Sequence, residues 1–232
     1  MKDTVEDLLD AIAATALRIP KAVARIDGPV VFLNEAGSKP PIYWCFNNWA
    51  EPVMLANRLG PDQPLVAMRS LFQLIEGKAS KRAHTADLGA AYADLVLARS
   101  DGRPLIVGGN CQAAPISEAV AHNLLGRTGR APLLVTLEHV PTYCYPGSLV
   151  MLFGRASEGF NPFLHGGDPR PAWAAMHGQA SWGFIDAAHG AYFMEPAVHV
   201  LVGYLRRVSA EFCLSATVNL GEIQLIPEAT AT

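Results

Sequence analysis

Cys111 lies in the run Gly109-Asn-Cys-Gln-Ala113, after the apolar stretch Pro104-Leu-Ile-Val and directly before a helical pattern. A strand that turns at once into a helix around a nucleophile needs small residues two positions before and two after it. Larger side chains there would collide with the neighbouring strand and helix. Gly109 and Ala113 meet that demand. The helix that follows would supply the backbone N–H of Gln112 and a partial positive charge, both favourable to a thiolate and to an oxyanion. Alone, these five residues suit an ordinary Gly-Gly turn with a buried cysteine equally well.

Chain order adds to them. The apolar run Leu133–Leu137 ends in Glu138, and Trp182–Ile185 leads through Asp186-Ala-Ala to His189-Gly190. Nucleophile, carboxylate and histidine, each after a strand, is the order of hydrolases built on such a turn. Cys111 is then the expected nucleophile and His189 the general base and later acid. Glu138 would orient His189 and stabilise its imidazolium. His139 is the rival base, and Glu158, after the following strand, the rival acid; Asp186 reads as a solvated strand end. The second oxyanion donor is expected from the backbone of Asn48 or Trp49, after the strand Ile42–Phe46, with Gln112 as its partner. The Asn47-Asn48 pair is also a plain turn signal. Trp49, Tyr143, Tyr145 and Trp173 are candidates either for an acyl pocket or for the core. Cys45 reads as buried filler and Cys144 as a loop residue near the site. A thiol beside a histidine and a helix N-terminus is expected to fall below its ordinary pKa of about 8.5.

The elements that must hold these residues are legible as a pattern. Strand-like runs occur at Val30–Leu33, Ile42–Phe46, Leu65–Met68, Leu105–Val107, Leu133–Leu137, Leu149–Phe153 and Trp182–Ile185. Helical periodicity falls at about 51–59, 86–98, 113–125, 171–177 and 197–207. Continuous apolar runs, rather than alternating ones, mark strands buried on both faces, and strand–helix alternation implies a mostly parallel sheet. An amphipathic helix over 4–17 is closed by Pro20. It reads as a packing or linker helix ahead of a domain over 21–210, with 211–232 an edge strand or tail.

Composition bounds the rest. The chain has 232 residues, half of them hydrophobic, with only 17% charged, and its mean hydropathy is +0.19. This is ample material for one core and unlike a disordered chain. Eighteen basic and 21 acidic residues give a net charge of −3. With no basic block, nucleic-acid binding has no electrostatic footprint. Apolar stretches are too short and interrupted for a membrane span, and the acidic N-terminus is unlike a signal peptide. Four cysteines without a CxxC pair suggest neither a disulfide framework nor a metal site. A cytoplasmic enzyme is the expectation.

The chain resembles the type I thioesterase domains of polyketide synthases and nonribosomal peptide synthetases, which are α/β-hydrolases. The resemblance is carried by Leu33-Asn-Glu-Ala-Gly-Ser-Lys-Pro-Pro41, Leu59-Gly-Pro-Asp-Gln-Pro-Leu65, Gly108-Gly-Asn-Cys-Gln-Ala-Ala114 and Ala188-His-Gly190, spread over residues 30–207. It places the acid about 27 residues beyond the nucleophile, at Glu138. Three departures stand out. The nucleophile is Cys rather than the commoner Ser, the acid is Glu rather than Asp, and the helical lid is missing or reduced to His139–Gly147. The resemblance implies release or transfer of an acyl group from the phosphopantetheine thioester of an acyl or peptidyl carrier protein, through an acyl-Cys111, with no further cofactor. A small-molecule acceptor would decide between hydrolysis, cyclisation and transfer. The alternatives are a Cys-dependent ester or lactone hydrolase and a non-catalytic acyl-binding relative.

Overall fold

A computed structural model describes residues 4–20 and 24–224 of the chain. Eight strands form one sheet: β1 (Arg25–Asp27), β2 (Val30–Leu33), β3 (Ile42–Phe46), β4 (Leu65–Arg69), β5 (Ile106–Asn110), β6 (Leu133–Leu137), β7 (Ser148–Gly154) and β8 (Gln179–Ile185). Their order is β1-β2-β4-β3-β5-β6-β7-β8. β1 and β2 pair antiparallel, as do β2 and β4, and every other pairing is parallel. The helices are α1 (Val5–Ala16), α2 (Ala50–Leu59), α3 (Lys78–Ala83), α4 (Thr85–Leu97), α5 (Ala114–Thr128), α6 (Arg170–Met176) and α7 (Ala197–Ser215).

The continuous apolar runs are strands covered on both sides. Ile42, Trp44 and Phe46 of β3 pack on the α2/α7 side, whereas Tyr43 and Cys45 face α4 and α5. This is the expected α/β-hydrolase arrangement of a mostly parallel sheet between helical layers. β5 departs from its expected bounds. It runs on through Gly108, Gly109 and Asn110, because these glycines pair with Trp44 and Cys45 of β3 and with Val135 and Thr136 of β6. The apolar pattern stops where side chains stop, but the ladder continues. β1, three mostly polar residues turned back at Gly28 (φ +59°), has no apolar signature to find.

The connection from β6 to β7 holds no helix or strand, so nothing there forms a helical lid. The longer connection is the next one, between β7 and β8, which contains α6 and a 3₁₀ turn at Pro162–Leu164. α7 runs through residue 210, past the domain boundary expected there. After it, residues 217–224 follow the outer edge of β8: Trp182 N–H donates to Gly221 O (2.9 Å) and Ile223 N–H to Trp182 O (2.7 Å). One bridge, Trp182 to Glu222, is all the pairing this edge achieves among the described residues. The rest of the expected tail, 225–232, and the boundary at 21–23 lie outside the described residues.

α1 is joined to the sheet. Leu8, Ile12 and Ala16 are buried. Thr15 Oγ1, itself donating to Ile12 O, accepts from Trp49 Nε1 (2.9 Å) and Arg69 Nη1 (2.6 Å), and so ties the helix to the carboxyl ends of β3 and β4. Thr15→Val keeps the shape and removes the acceptor, leaving two partly buried donors unpaired, at a cost of roughly 1–3 kcal/mol. Urea denaturation should show that loss as a lower midpoint. An unchanged midpoint would mean that α1 docks by apolar contact alone.

Candidate active site

The carboxyl ends of β5, β6 and β8 converge. At the end of β5, Cys111 adopts φ +50°, a left-handed conformation that non-glycine residues rarely hold. A short 3₁₀ turn, Cys111–Ala113, leads straight into α5. The turn is possible because nothing obstructs it. A Cβ on Gly109 would overlap Ser117 Oγ of α5 and one on Gly108 would overlap the buried Trp44 ring, while Ala113 is fully buried. Ser117 Oγ donates to Gly108 O and locks the helix against the strand (2.5 Å).

Glu138 follows β6, also with positive φ (+57°), and its N–H donates to Leu152 O of β7 (2.8 Å). His189 reaches it from β8 by crossing the end of β7. That crossing depends on Gly154, whose absent Cβ would stand 2.6 Å from Ala187 O. Arg155 N–H to Ile185 O (2.8 Å) and Ala156 N–H to Ala187 O (3.2 Å) fasten the crossing segment. The result is a chain of three groups. Cys111 Sγ lies 3.5 Å from His189 Nε2, and His189 Nδ1 is hydrogen-bonded to Glu138 Oε2. The carboxylate requires the proton on Nδ1, which leaves the Nε2 lone pair facing the thiol. Glu138 is buried, whereas the His189 side chain is 42% exposed and reachable from solvent. Phe160, from the β7–β8 connection, stacks on the imidazole, with ring centres 4.1 Å apart and planes within 10°.

No protein-family profile and no curated protein sequence matches the chain. Solved structures do. The NocB thioesterase domain from the nocardicin cluster superposes with a TM-score of 0.59 at 15% identity, covering 78% of this chain and 98% of that one. SrfTE, the thioesterase domain that cyclises the lipopeptide surfactin, gives 0.53 at 15% identity, covering 78% and 95%. A variant of YbtT, the type II thioesterase of the yersiniabactin NRPS/PKS pathway, gives 0.55 at 12% identity, covering 76% and 94%. The chain has the fold of these thioesterase domains.

The rival residues go elsewhere. His139 Nε2 bonds Glu118 Oε2 (2.9 Å), and Glu118 also accepts Tyr143 N–H (3.0 Å). This buried carboxylate on α5, invisible as a site in the sequence, pins the short connection after β6. Glu158 and Asp186 are exposed. Tyr145, a pocket candidate, is instead core. It is fully buried and donates its hydroxyl to Pro132 O, while Trp173 stacks on Phe153 in the same cluster. Tyr143 is 69% exposed, and the Trp49 indole turns towards Thr15. Cys45 is buried and Cys144 exposed. Among the described residues no three His, Cys, Asp or Glu side chains gather as a metal would require, and no helix is long and apolar enough to cross a membrane.

Of the backbone donors, Asn47 N–H is committed to Glu51 Oε2 (3.0 Å) and the Asn48 amide lies against the same carboxylate. Trp49 N–H has no acceptor among the described residues. The Gln112 N–H points at Cys111 Sγ. Of these amides, the Trp49 and Gln112 N–H groups are the ones that no carboxylate engages among the described residues.

The thiol differs from its expected acidity. Burial pushes Cys111 up, the Gln112 N–H pulls it back, and the carboxylates of Glu138 and Glu51 push it up again. Burial and the two carboxylates outweigh the Gln112 N–H, so the thiolate is disfavoured, and His189 Nε2 is the nitrogen within reach of the thiol. The rate of iodoacetamide alkylation, read on the Cys111 peptide by mass spectrometry, should therefore rise through pH values above the ordinary cysteine range of about 8.5. A plateau already reached at pH 6–7 would indicate a preformed thiolate–imidazolium pair.

Proposed function

We propose that this chain releases or transfers acyl groups held as pantetheine thioesters on a carrier protein, through a covalent acyl-Cys111. The observation that carries this reading is the alignment of Cys111 Sγ, His189 and Glu138 at three strand ends of a thioesterase fold.

In the proposed sequence, His189 Nε2 takes the Cys111 proton as Sγ attacks the thioester carbonyl. The carbonyl oxygen becomes an oxyanion opposite Trp49 N–H and Gln112 N–H, donors already oriented before charge develops. Collapse breaks the bond to the pantetheine sulfur, which leaves with the proton from His189. Water, a hydroxyl or an amine then attacks the acyl-Cys111 carbonyl, gives its proton to His189, and expels the Cys111 thiolate, which recovers that proton. Glu138, buried and bonded to Nδ1, holds the ring in place throughout and stabilises the imidazolium.

The choice of cysteine has an energetic consequence. Transfer from pantetheine to Cys111 exchanges one thioester for another, so the acyl-enzyme stays near the substrate in energy and remains activated towards acceptors. A serine oxyester would lie lower. Without a helical lid after β6, the site suits a bulky acyl chain or an acceptor arriving from solvent.

Thiol release from an acyl-pantetheine thioester tests the reading. Wild type should turn over, and His189→Ala should lose about 10²–10⁴-fold in kcat, the range for a positioned acid–base. Glu138→Gln, which keeps the shape but removes the charge opposite the imidazolium, should lose at least about tenfold in kcat with little change in KM. Turnover of simple esters but not of pantetheine thioesters would instead favour a Cys-dependent ester or lactone hydrolase.

A further inference from the structure

Glu51 stands in the first turn of α2, where an acidic residue ordinarily faces solvent and the helix dipole. Here it reaches across to another strand. Oε2 accepts Asn47 N–H (3.0 Å) and Asn110 Nδ2–H (3.3 Å), and Oε1 accepts Asn48 Nδ2–H (2.9 Å). Asn48 Oδ1 in turn accepts the N–H groups of Ala50 (2.9 Å) and Glu51 (3.2 Å), capping α2. A second strut runs beside the first: Asn47 Nδ2 donates to Asn110 O (3.2 Å) and Ser70 Oγ donates to Asn47 Oδ1 (3.0 Å). Trp44 Nε1 fixes the remaining side of Asn110 by donating to its Oδ1 (3.1 Å).

The position of this network matters more than its size. Asn110 immediately precedes Cys111 and Gln112, and Asn48 immediately precedes Trp49. The two amides proposed for the oxyanion thus follow different strand ends, β3 and β5, and Glu51 bonds to Asn47 and Asn48 after the first and to Asn110 of the second. We propose that Glu51 is a positioning residue that sets the spacing of the Trp49 and Gln112 donors by tying the turn after β3 to the end of β5. It touches no reacting atom. This deepens the acyl-transfer reading and rests on it for the role of Cys111.

Glu51 also has an opposing effect. Burial pushes Glu51 itself up, against the hydrogen bonds from Asn47, Asn110 and Asn48, and its ionised form acts on Cys111, on the buried Cys45 and on Arg69 at the end of β4, while Glu138 acts on Cys111 as well. A carboxylate here disfavours the thiolate. A residue kept only for nucleophile acidity would not be an acid, whereas one that must accept donors on both of its oxygens has to be a carboxylate. An amide can accept on one side only.

These two effects move in opposite directions when Glu51 becomes Gln, which makes the test decisive. Cys111 alkylation by iodoacetamide would be followed against pH on the Cys111 peptide. Acylation would be followed with 4-nitrophenyl acetate, an activated ester that needs no carrier protein. In Glu51→Gln the alkylation profile should shift to lower pH, yet acylation should slow about 10–100-fold, less than the loss of a whole oxyanion donor, with KM nearly unchanged. Asn47→Ala removes the parallel strut without altering charge. It should slow acylation while leaving the alkylation profile in place, and Asn110→Ala, which removes the Glu51 bond to β5 without altering charge, takes the place of Glu51→Gln if that variant does not fold. Acylation at the wild-type rate in both variants, or faster acylation alongside the extra thiolate in Glu51→Gln, would overturn the proposal. A wild-type chain acylated by the ester but inert to pantetheine thioesters would refute the acyl-carrier reading and leave this one standing.

Discussion

The site depends on the absence of side chains where β5 meets α5. Gly108 lies under the Trp44 ring and Gly109 under Ser117, and a Cβ on either would overlap what covers it. Only with both sites empty does the strand pass directly into the helix and leave Cys111 at the apex with φ +50°. That conformation costs on the order of 1–3 kcal/mol for a non-glycine residue. It persists because strand, helix and the Ser117–Gly108 bond hold it from both sides. The half-buried sulfur, the Gln112 amide directed at it and the link through Asn110 all follow from this one turn.

The other members are brought to that fixed point by backbone geometry of the same kind. Glu138 also stands in the left-handed region, and His189 reaches it because Gly154 lets the segment after β8 cross the end of β7. The connection after β6 holds no helical lid, as its short run His139–Gly147 implied, and the β7–β8 connection contributes Phe160 against His189. Closed packing positions the groups, while the histidine stays open to solvent.

Much of this was legible in the sequence because it is written in residue size and order. Continuous apolar runs gave seven of the eight strands, and small residues around Cys111 gave the turn. The sequence order Cys111, Glu138, His189 matched three strand ends that the fold brings together. What escaped has a physical reason in each case. β1 is short and polar. Glu51 and Glu118 look like ordinary helix-surface acids, and only tertiary contacts turn them inward. Tyr145 lies in a loop segment beside the site in sequence, yet its side chain points into the core. The acidity expected of Cys111 rested on the helix and histidine alone, whereas burial and two carboxylates act against them.

The central claim is that an acyl group rests on Cys111. Intact-protein mass spectrometry after incubation with an acyl-pantetheine or N-acetylcysteamine thioester, on wild type and Cys111→Ala, tests it most directly. The account predicts that wild type gains the mass of one acyl group and that the variant, still folded, gains none. An adduct of equal occupancy on Cys111→Ala, or no adduct on a wild-type enzyme that nonetheless consumes the thioester, would contradict it.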